Sequence, residues 1–196
     1  MIIQPEFEPF PYIVIDEYFD DIELKEVMYE VTTLEPYAFY DGALTQAAVN
    51  DTGETLKSGR GLFLDKLFKD SLRPMSKILR VNRKLFTPVI ADVARELCAF
   101  YGHIRRVTQD STLLNYYSSG EEYKPHWDRS TLSAVWFNGQ GQFTGGDFVF
   151  PEYGVVIAYK PNRMVIFPGC VLHGAKAIDG AVGAYRVSMA QFMGYS

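Results

Sequence analysis

Two of the three histidines in this chain lie in a pattern that could bind a metal ion. His126 is followed two positions later by Asp128, and His173 lies further along the same half of the chain. Residues i and i+2 of an extended chain project from one face, so the His126 imidazole and the Asp128 carboxylate can converge on one point. Two imidazoles and one carboxylate form a facial triad that binds Fe(II) and leaves positions open for other ligands. Zinc suits such a set less well, because three ligands would leave only one open tetrahedral position.

An arginine near the C-terminus strengthens this interpretation. A His-x-Asp pair is common on protein surfaces, and a lone His173 is more often a core residue than a ligand. Arg186 and Ser188, however, share one face of a predicted strand whose other residues include Val187 and Met189. An arginine directed into an apolar barrel is costly unless it binds an anion, and its guanidinium matches a carboxylate bidentately. The alternative is an arginine that reaches solvent or pairs with a carboxylate of the protein.

Two further segments could complete a pocket around these residues. Gly145 and Gly146 directly precede a predicted strand, where they permit positive φ and close approach of the backbone, although an ordinary hairpin turn would also use them. Asn115 and Tyr117 share a face of an earlier predicted strand. Tyr117 could direct its phenol into the pocket that holds Arg186, or it could be a simple core tyrosine.

In combination and order, these motifs resemble the Fe(II)/2-oxoglutarate-dependent dioxygenases, and the most similar branch is the prolyl 4-hydroxylase-like one. The resemblance is specific for the superfamily and weak for the substrate. It extends over residues 113–192 and rests on Tyr117-x-x-Gly120-x-x-Tyr123-x-Pro125-His126-x-Asp128, Gly145-Gly146-x-Phe148, His173-Gly174 and Arg186-x-Ser188.

The resemblance implies a complete set of cofactors and site residues. Fe(II) would be bound by His126, Asp128 and His173, and no catalytic side chain is needed beyond these metal ligands. The co-substrate 2-oxoglutarate would chelate the iron, O₂ would be consumed, and ascorbate could serve as reductant. The distal carboxylate of 2-oxoglutarate would be bound by Arg186, and its further cofactor-binding partners would be Tyr117, Ser188 and Asn115.

The resemblance leaves the substrate open. Halogenating relatives have Gly or Ala at the position of Asp128, so the aspartate favours hydroxylation of an unactivated C–H bond. A prolyl residue of a protein or peptide is the first expectation, and a free amino acid or other small metabolite is the alternative. Collagen-type prolyl hydroxylases usually have Lys at the position of Arg186, and Asn115-x-Tyr117 is similar to nucleic-acid demethylases of the superfamily. Nucleic acid is a disfavoured partner, because the chain has a net charge of −5.

A second class of function has to be weighed beside the enzyme. A non-catalytic metal-binding β-barrel that serves as an interaction module would keep the His-Asp-His triad without an anchor for the co-substrate. Arg186 argues against this reading, and succinate formation from 2-oxoglutarate would discriminate the two.

The elements that position these residues divide the chain into two parts. With 196 residues, of which 47% are apolar and 22% charged, one domain spanning 1–196 is expected. Roughly residues 1–104 form a helical support, with a short strand at 9–15, a capping box of Asp20 and Glu23 that opens a helix, and a second helical region at 71–101 broken near Pro88. Residues 105–196 form the β core. The predicted fold is mostly β with flanking α: a double-stranded β-helix (jelly-roll or cupin-like) core supported by N-terminal helices.

Short segments in the C-terminal half are the candidate strands of this core. They are separated by Gly, Pro and Asn and cover residues 111–117, 130–137, 147–150, 154–159, 164–167 and 185–192. The aperiodic segment 36–61 is interpreted as a lid or substrate loop, with plain flexibility as the equal alternative. Trp127, between two candidate ligands, is expected to pack behind its strand.

The composition also bears on location. No apolar run is long enough to span a membrane, and the first residues lack the basic and apolar regions of a signal peptide. Cys98 and Cys170 form no cluster with metal-ligand spacing, which favours a reducing compartment. A cytoplasmic enzyme with no membrane partner is therefore expected.

Overall fold

A computed structural model describes residues 1–195, apart from the side chain of Leu97. The strands are β1 (Ile2–Glu6), β2 (Tyr12–Asp16), β3 (Arg60–Phe63), β4 (Gln109–Tyr117), β5 (Tyr123–His126), β6 (Leu132–Gln140), β7 (Phe143–Gly145), β8 (Phe148–Phe150), β9 (Val155–Ile157), β10 (Arg163–Pro168), β11 (His173–Ala175), β12 (Ile178–Gly180) and β13 (Tyr185–Gly194). The α-helices are α1 (Asp21–Leu34), α2 (Leu64–Leu67), α3 (Lys77–Val81) and α4 (Pro88–Leu97). Short 3₁₀ segments cover Glu35–Tyr37, Asp70–Met75, Asn82–Phe86, Ala99–Arg106 and Pro151–Tyr153.

The strands form two main antiparallel sheets, as the spacing of the short segments predicts. The larger sheet has the order β1-β2-β10-β6-β13-β4-β3, and the smaller has the order β5-β11-β8-β9. Strands β7 and β12 pair separately. All the named strand pairs are antiparallel, and several of them join strands that lie far apart in the sequence. This arrangement brings β5 and β11, which carry two of the histidines, next to each other.

Alternation along β13 shows how the large sheet separates two apolar cores. Val187 and Met189 pack into a cluster formed with the helices. Ala190, which has the opposite orientation, belongs to a second cluster that includes Phe137 and Phe148. Because Arg186 and Ser188 share the parity of Ala190, the sheet directs them towards the second cluster and away from the helices.

The N-terminal helix forms as its sequence predicts. The side chain of Asp20 accepts hydrogen bonds from the backbone N–H groups of Ile22 and Glu23. The backbone N–H of Asp20 donates in return to the Glu23 carboxylate, which completes the capping box. Val27 and Val31 of α1 are fully buried against the large sheet. The helix therefore supports the outer face of the sheet that carries Arg186.

The N-terminal region contains more β-structure than the sequence analysis predicts. The strand expected at 9–15 is present as β2, and β1 pairs with it along its whole length. The sequence analysis missed β1 because it is an edge strand that contains Pro5, and proline disfavours a strand assignment. β3 adds a further N-terminal strand beside β4, so this region completes the large sheet as well as supporting it.

The helical region expected at 71–101 is more interrupted than predicted. The predicted break near Pro88 is present, because α4 begins at that proline. Upstream, the chain forms 3₁₀ segments on both sides of α3, and Pro74 lies within the first of them. Proline lacks the N–H group that a continuous helix needs, so only short helical turns form here.

The predicted C-terminal strands are present with ends shifted by a few residues. β4, β6, β8, β9, β10 and β13 correspond to the six predicted segments. Four short strands were not predicted, because segments of three or four residues are too short to show a period-two pattern. They are β5, β7, β11 and β12. The described helices include none with the length and apolar character that a membrane span requires.

Candidate active site

The small sheet brings the three candidate metal ligands together. His126 ends β5 and His173 begins β11, and the two residues lie opposite each other in the antiparallel pair. The Asp128 carboxylate lies 3.8 Å from His126 Nε2 and 3.4 Å from His173 Nε2. The ligand atoms of the three residues lie within 4.8 Å of one another, which is close enough for one metal ion to contact all of them. The predicted convergence of His126, Asp128 and His173 is present.

Both histidines are held in the tautomer that a metal ion requires. His126 Nδ1 lies 2.9 Å from the carbonyl oxygen of Lys124, and His173 Nδ1 lies 2.8 Å from that of Val171. A carbonyl oxygen only accepts, so each Nδ1 carries a proton, and in the neutral ring the lone pair for a metal then lies on Nε2. The backbone therefore prepares both imidazoles to act as ligands.

Burial keeps the His126 imidazole neutral near pH 7. Its pKa is lowered to about 4, first by burial and then by the neighbouring His173 imidazole, while the Asp128 carboxylate opposes the shift. The phenol ring of Tyr123 stacks on the His126 ring with 3.6 Å between centroids and 15° between planes. A neutral, firmly packed imidazole is a better metal ligand than a mobile or protonated one.

The Asp128 carboxylate is charged in spite of its burial. Burial alone would raise its pKa, but interactions with His173 and hydrogen bonding from Ser133 outweigh that effect, so the pKa lies below its ordinary value. The Ser133 hydroxyl donates to Asp128 Oδ2 and also shares a 2.7 Å hydrogen bond with the Ser130 hydroxyl. Ser133 fixes the orientation of the carboxylate, and the sequence analysis did not identify it. The alternation of side chains along β6 could have identified Ser133, because it places Ser133 on the same face of the strand as Phe137.

Arg186 is a buried cation with unused hydrogen-bond donors. The side chain is fully buried, and Nη1 donates to the carbonyl oxygen of Gly146 at 2.9 Å. The Nε and Nη2 atoms are buried and have no hydrogen-bond partner among the residues that the structure describes. Buried polar groups are normally satisfied, so this edge of the guanidinium is suited to the two oxygens of a carboxylate ligand. Burial lowers the pKa of Arg186, whereas Tyr117, Tyr159 and Asp147 favour its charged form.

The glycine pair before β8 allows the guanidinium to lie where it does. Gly146 has a φ of +81°, and a Cβ atom there would lie 2.9 Å from Cδ of Arg186. A side chain at this position would therefore displace the arginine, as close approach of the backbone predicts. The alternative of an ordinary hairpin turn is wrong, because the glycines connect β7, which pairs with β12, to β8, which pairs with β11 and β9.

The remaining predicted cofactor-binding residues lie beside the arginine. In the register of β4 and β13, Tyr117 lies opposite Arg186 and Asn115 lies opposite Ser188. The Arg186 guanidinium lies 4.4 Å from the centroid of the Tyr117 ring. Burial raises the pKa of Tyr117 to about 12 although Arg186 and Ser188 oppose it, so the phenol stays protonated and can donate a hydrogen bond. Asn115 Nδ2 lies 3.5 Å from Ser188 Oγ.

The candidate metal ligands, Asn115, Tyr117 and Ser188 line one cavity of about 1590 Å³. Apolar walls are provided by β6 and β8, including Phe137 and Phe148, and parts of the segment 36–61 form another wall. This segment is anchored by backbone hydrogen bonds between Phe39 and Gly61 and by one from Ala48 N to the Tyr123 hydroxyl. Its position supports a lid or substrate loop more than a freely flexible one.

Trp127 was expected to pack behind its strand, and that prediction was wrong. Its side chain is 60% exposed and lines the cavity next to the candidate ligands. β5 ends at His126, so Trp127 lies just beyond the strand and is not packed behind it. Lys57, a buried lysine beside Asn115, is a further residue that the sequence analysis missed, and no sequence signal distinguishes it from a surface lysine.

Comparison with known proteins identifies the fold. Neither protein-family comparison nor comparison with curated proteins finds a match. Among solved structures, a prolyl-4-hydroxylase from Pseudomonas putida superposes with a TM-score of 0.62 at 16% identity, covering 94% of this chain and 92% of that one. A Trichoplax adhaerens prolyl hydroxylase, solved with a peptide fragment of the hypoxia inducible factor oxygen degradation domain, gives 0.59 at 12% identity, covering 93% and 82%. NgTET1 in complex with 5mC DNA gives 0.56 at 12% identity, covering 94% and 72%.

These similarities agree with the architecture and with the geometry of the site. The likeness covers 94% and 93% of the chain, so it extends well beyond residues 113–192, where the sequence motifs lie. The predicted fold, a mostly β protein with a double-stranded β-helix core and flanking helices, is therefore confirmed. The chain has the fold of the 2-oxoglutarate-dependent oxygenases, and the His-Asp-His cluster lies in its central cavity.

Proposed function

We propose that this chain is an Fe(II)- and 2-oxoglutarate-dependent dioxygenase that hydroxylates a prolyl residue of a protein or peptide, with residues 1–196 as one catalytic domain. The observation that carries the proposal is the combination of two sites in one fold. His126, Asp128 and His173 converge as a facial triad, and Arg186 keeps two buried donor atoms without partners. A structural metal site would have no need of such an arginine.

The side chains present fit the groups that the proposal requires. Two imidazoles and one carboxylate are the donor set of Fe(II) oxygenases with open coordination positions. The unpartnered edge of Arg186 fits one carboxylate of 2-oxoglutarate bidentately. When bound, iron and 2-oxoglutarate supply oxidising power from O₂, which converts the co-substrate into succinate and CO₂ and inserts one oxygen atom into a C–H bond.

The protein contributes binding, orientation and exclusion of water. His126, Asp128 and His173 hold the metal on one side and leave its other side open to the cavity. Arg186, with Tyr117 and Ser188 beside it, binds the distal carboxylate of the co-substrate, and Asn115 lies next along the same wall. The aromatic walls keep water away from the reacting C–H bond, and no side chain has to act as a general acid or base.

The shape of the cavity and the names of its structural relatives support a peptide substrate. A volume of about 1590 Å³ exceeds what a small ligand usually occupies, so room remains for an extended chain beside 2-oxoglutarate. The relatives include a prolyl-4-hydroxylase and a prolyl hydroxylase solved with a peptide. The exposed ring of Trp127 at the entrance offers a flat apolar surface on which a prolyl ring can pack.

Peptide-stimulated turnover tests this proposal. Purified protein is incubated with Fe(II), ascorbate, 2-oxoglutarate and a library of proline-containing peptides, and succinate is measured together with peptide mass. The expected result is succinate release that rises with particular peptides, whose proline gains the mass of one oxygen atom. The Asp128→Ala variant serves as control and should lose this turnover while it stays folded.

Other outcomes of the same assay would overturn parts of the proposal. Stimulation by free amino acids or other metabolites, but not by peptides, would identify a small-molecule hydroxylase. Stimulation by methylated oligonucleotides would contradict the expectation from the acidic charge balance. Metal binding without succinate formation under any condition would indicate a non-catalytic metal-binding module.

A further inference from the structure

Lys57, in the segment 36–61, is buried behind Asn115, which lines the cavity. Its side chain is only 2% exposed, and its Nζ lies 3.1 Å from Oδ1 of Asn115. Gly61 on β3 provides the space, because a Cβ atom there would lie 2.7 Å from Lys57 Nζ. The backbone of Lys57 pairs with that of Tyr123, just before the candidate ligand His126. The ammonium group is thus held beside the cavity that contains the candidate metal site.

The charge of Lys57 is not balanced within the described part of the chain. No described carboxylate lies within ion-pair distance of Nζ, in contrast to Lys160 and Arg163, which both pair with Asp16. Burial lowers the pKa of Lys57 to about 7, and no acidic neighbour opposes this shift. A buried ammonium whose side-chain partner is a neutral amide is costly, and an anion bound nearby would remove that cost.

The contact with Lys57 also fixes the orientation of Asn115. An ammonium group only donates hydrogen bonds, so the amide atom that faces Lys57 must be the oxygen. The amide NH₂ group then points the other way, where one N–H reaches Ser188 Oγ at a long 3.5 Å. Asn115 lines the cavity, so its NH₂ group offers a donor to an oxygen atom bound there.

We propose that Lys57 and Asn115 form a second carboxylate-binding point of the cavity, in which Lys57 supplies the positive charge and Asn115 an N–H donor. This inference rests on the proposed function, since it takes the cavity to be an active site. Asn115 and Ser188 lie two residues along their strands from Tyr117 and Arg186, a distance of about 7 Å. The new point therefore lies next to the one assigned to Arg186, with Ser188 between the two.

Two carboxylates could occupy this point, and they differ in source. One is the second carboxylate of 2-oxoglutarate, and the other is a carboxylate of the primary substrate, such as the C-terminus of a peptide. Calorimetry on anaerobic, Fe(II)-loaded protein separates them without turnover. The probes are 2-oxoglutarate and, in its presence, acetyl-Ala-Pro with either a free carboxylate or a carboxamide end.

Two variants remove the proposed point in different ways. Lys57→Met keeps the approximate side-chain volume and removes the charge, and Asn115→Asp places a carboxylate where the ligand would otherwise balance Lys57. Both should weaken carboxylate binding by roughly 10- to 100-fold, as expected for a charge-assisted contact. Both should also raise the melting temperature of the ligand-free protein, because Lys57→Met removes the unbalanced buried charge and Asn115→Asp balances it. A purely structural role for Lys57 predicts a lower melting temperature instead.

Lys69→Met, at an exposed lysine, is the control for net charge. It should change neither the carboxylate affinity nor the melting temperature.

Each pattern of results decides the inference. Weaker binding of 2-oxoglutarate in both variants assigns the point to the co-substrate. Unchanged 2-oxoglutarate binding, with loss of the preference for the free carboxylate over the carboxamide, assigns it to the primary substrate. Unchanged affinity for both probes in the two variants overturns the inference and leaves the proposed function intact, provided that 2-oxoglutarate binding still depends on Arg186. If the wild-type protein binds no 2-oxoglutarate, the proposed function fails and this inference fails with it.

Discussion

Substitution of Arg186 tests the binding of the co-substrate most sharply. In Arg186→Met the apolar stem is largely preserved, while the guanidinium and its two unpartnered donor atoms are lost. A bidentate, charge-assisted contact of this kind is worth roughly 2–4 kcal/mol in a buried site, which corresponds to about 30- to 1,000-fold in affinity. The dissociation constant of 2-oxoglutarate should rise by that factor. Arg186→Lys should give an intermediate value, since it keeps the charge but loses the planar pair of donors.

The assay for this prediction compares two ligands in the same protein. Anaerobic titration of 2-oxoglutarate into Fe(II)-loaded protein gives the co-substrate affinity, and titration of Fe(II) into the metal-free protein gives the metal affinity. Only the first should change strongly, because Arg186 forms no ion pair with the candidate ligands and hydrogen-bonds to Gly146 instead. The reasoning would be refuted by an unchanged affinity for 2-oxoglutarate in a folded Arg186→Met protein. Equal losses in both affinities would instead mean that the substitution had disrupted the fold of the site.

Three further predictions concern the metal, the entrance and stability. Ser133→Ala removes the hydrogen bond to the Asp128 carboxylate and should weaken Fe(II) binding by roughly 10- to 100-fold in a chelator competition, whereas unchanged metal affinity would exclude an orienting role. Trp127→Ala should raise KM for a peptide substrate and leave KM for 2-oxoglutarate unchanged. A change in KM for 2-oxoglutarate alone would mean that the ring acts on the co-substrate and not on the peptide. Hydrogen bonding to Arg163 holds the pKa of Asp16 at about 2, below its ordinary value, so its stabilising contribution of roughly 2 kcal/mol is present above about pH 4 and is lost as the pH falls towards 2. In urea unfolding, the stability deficit of Asp16→Asn should shrink by that amount over this pH range, and a constant deficit would contradict the linkage.

The chemistry of the site was more predictable than the position of its walls. Arg186 and Ser188 share a face because alternation in an extended strand is a local rule. The same rule predicted the convergence of His126 and Asp128, which is present although Asp128 lies just beyond the end of β5. The meeting of His173 with His126 depends on the pairing of β11 with β5, which the chain itself does not display. Only the resemblance to a known family predicted that meeting, and the structure agrees with it.

The features that the sequence analysis missed depend on tertiary contacts. Lys57 looks like any lysine of a polar loop, and its burial follows from the space that Gly61 leaves beside β4. Trp127 was assigned to the wrong side because it lies just after the end of β5, where strand alternation no longer fixes the direction of a side chain. The prediction that residues 1–196 form one domain, the role of ascorbate and the cytoplasmic location stay predictions.

A metal-soaked crystal gives the most direct test of the central claim. Crystals grown anaerobically with Fe(II) and 2-oxoglutarate would be measured at the iron absorption edge, so that the anomalous difference map locates the metal. The account predicts one strong peak in contact with Nε2 of His126, the carboxylate of Asp128 and Nε2 of His173, with 2-oxoglutarate extending from it to Arg186. A peak elsewhere, or a fully loaded protein whose iron contacts fewer than these three side chains, would contradict it.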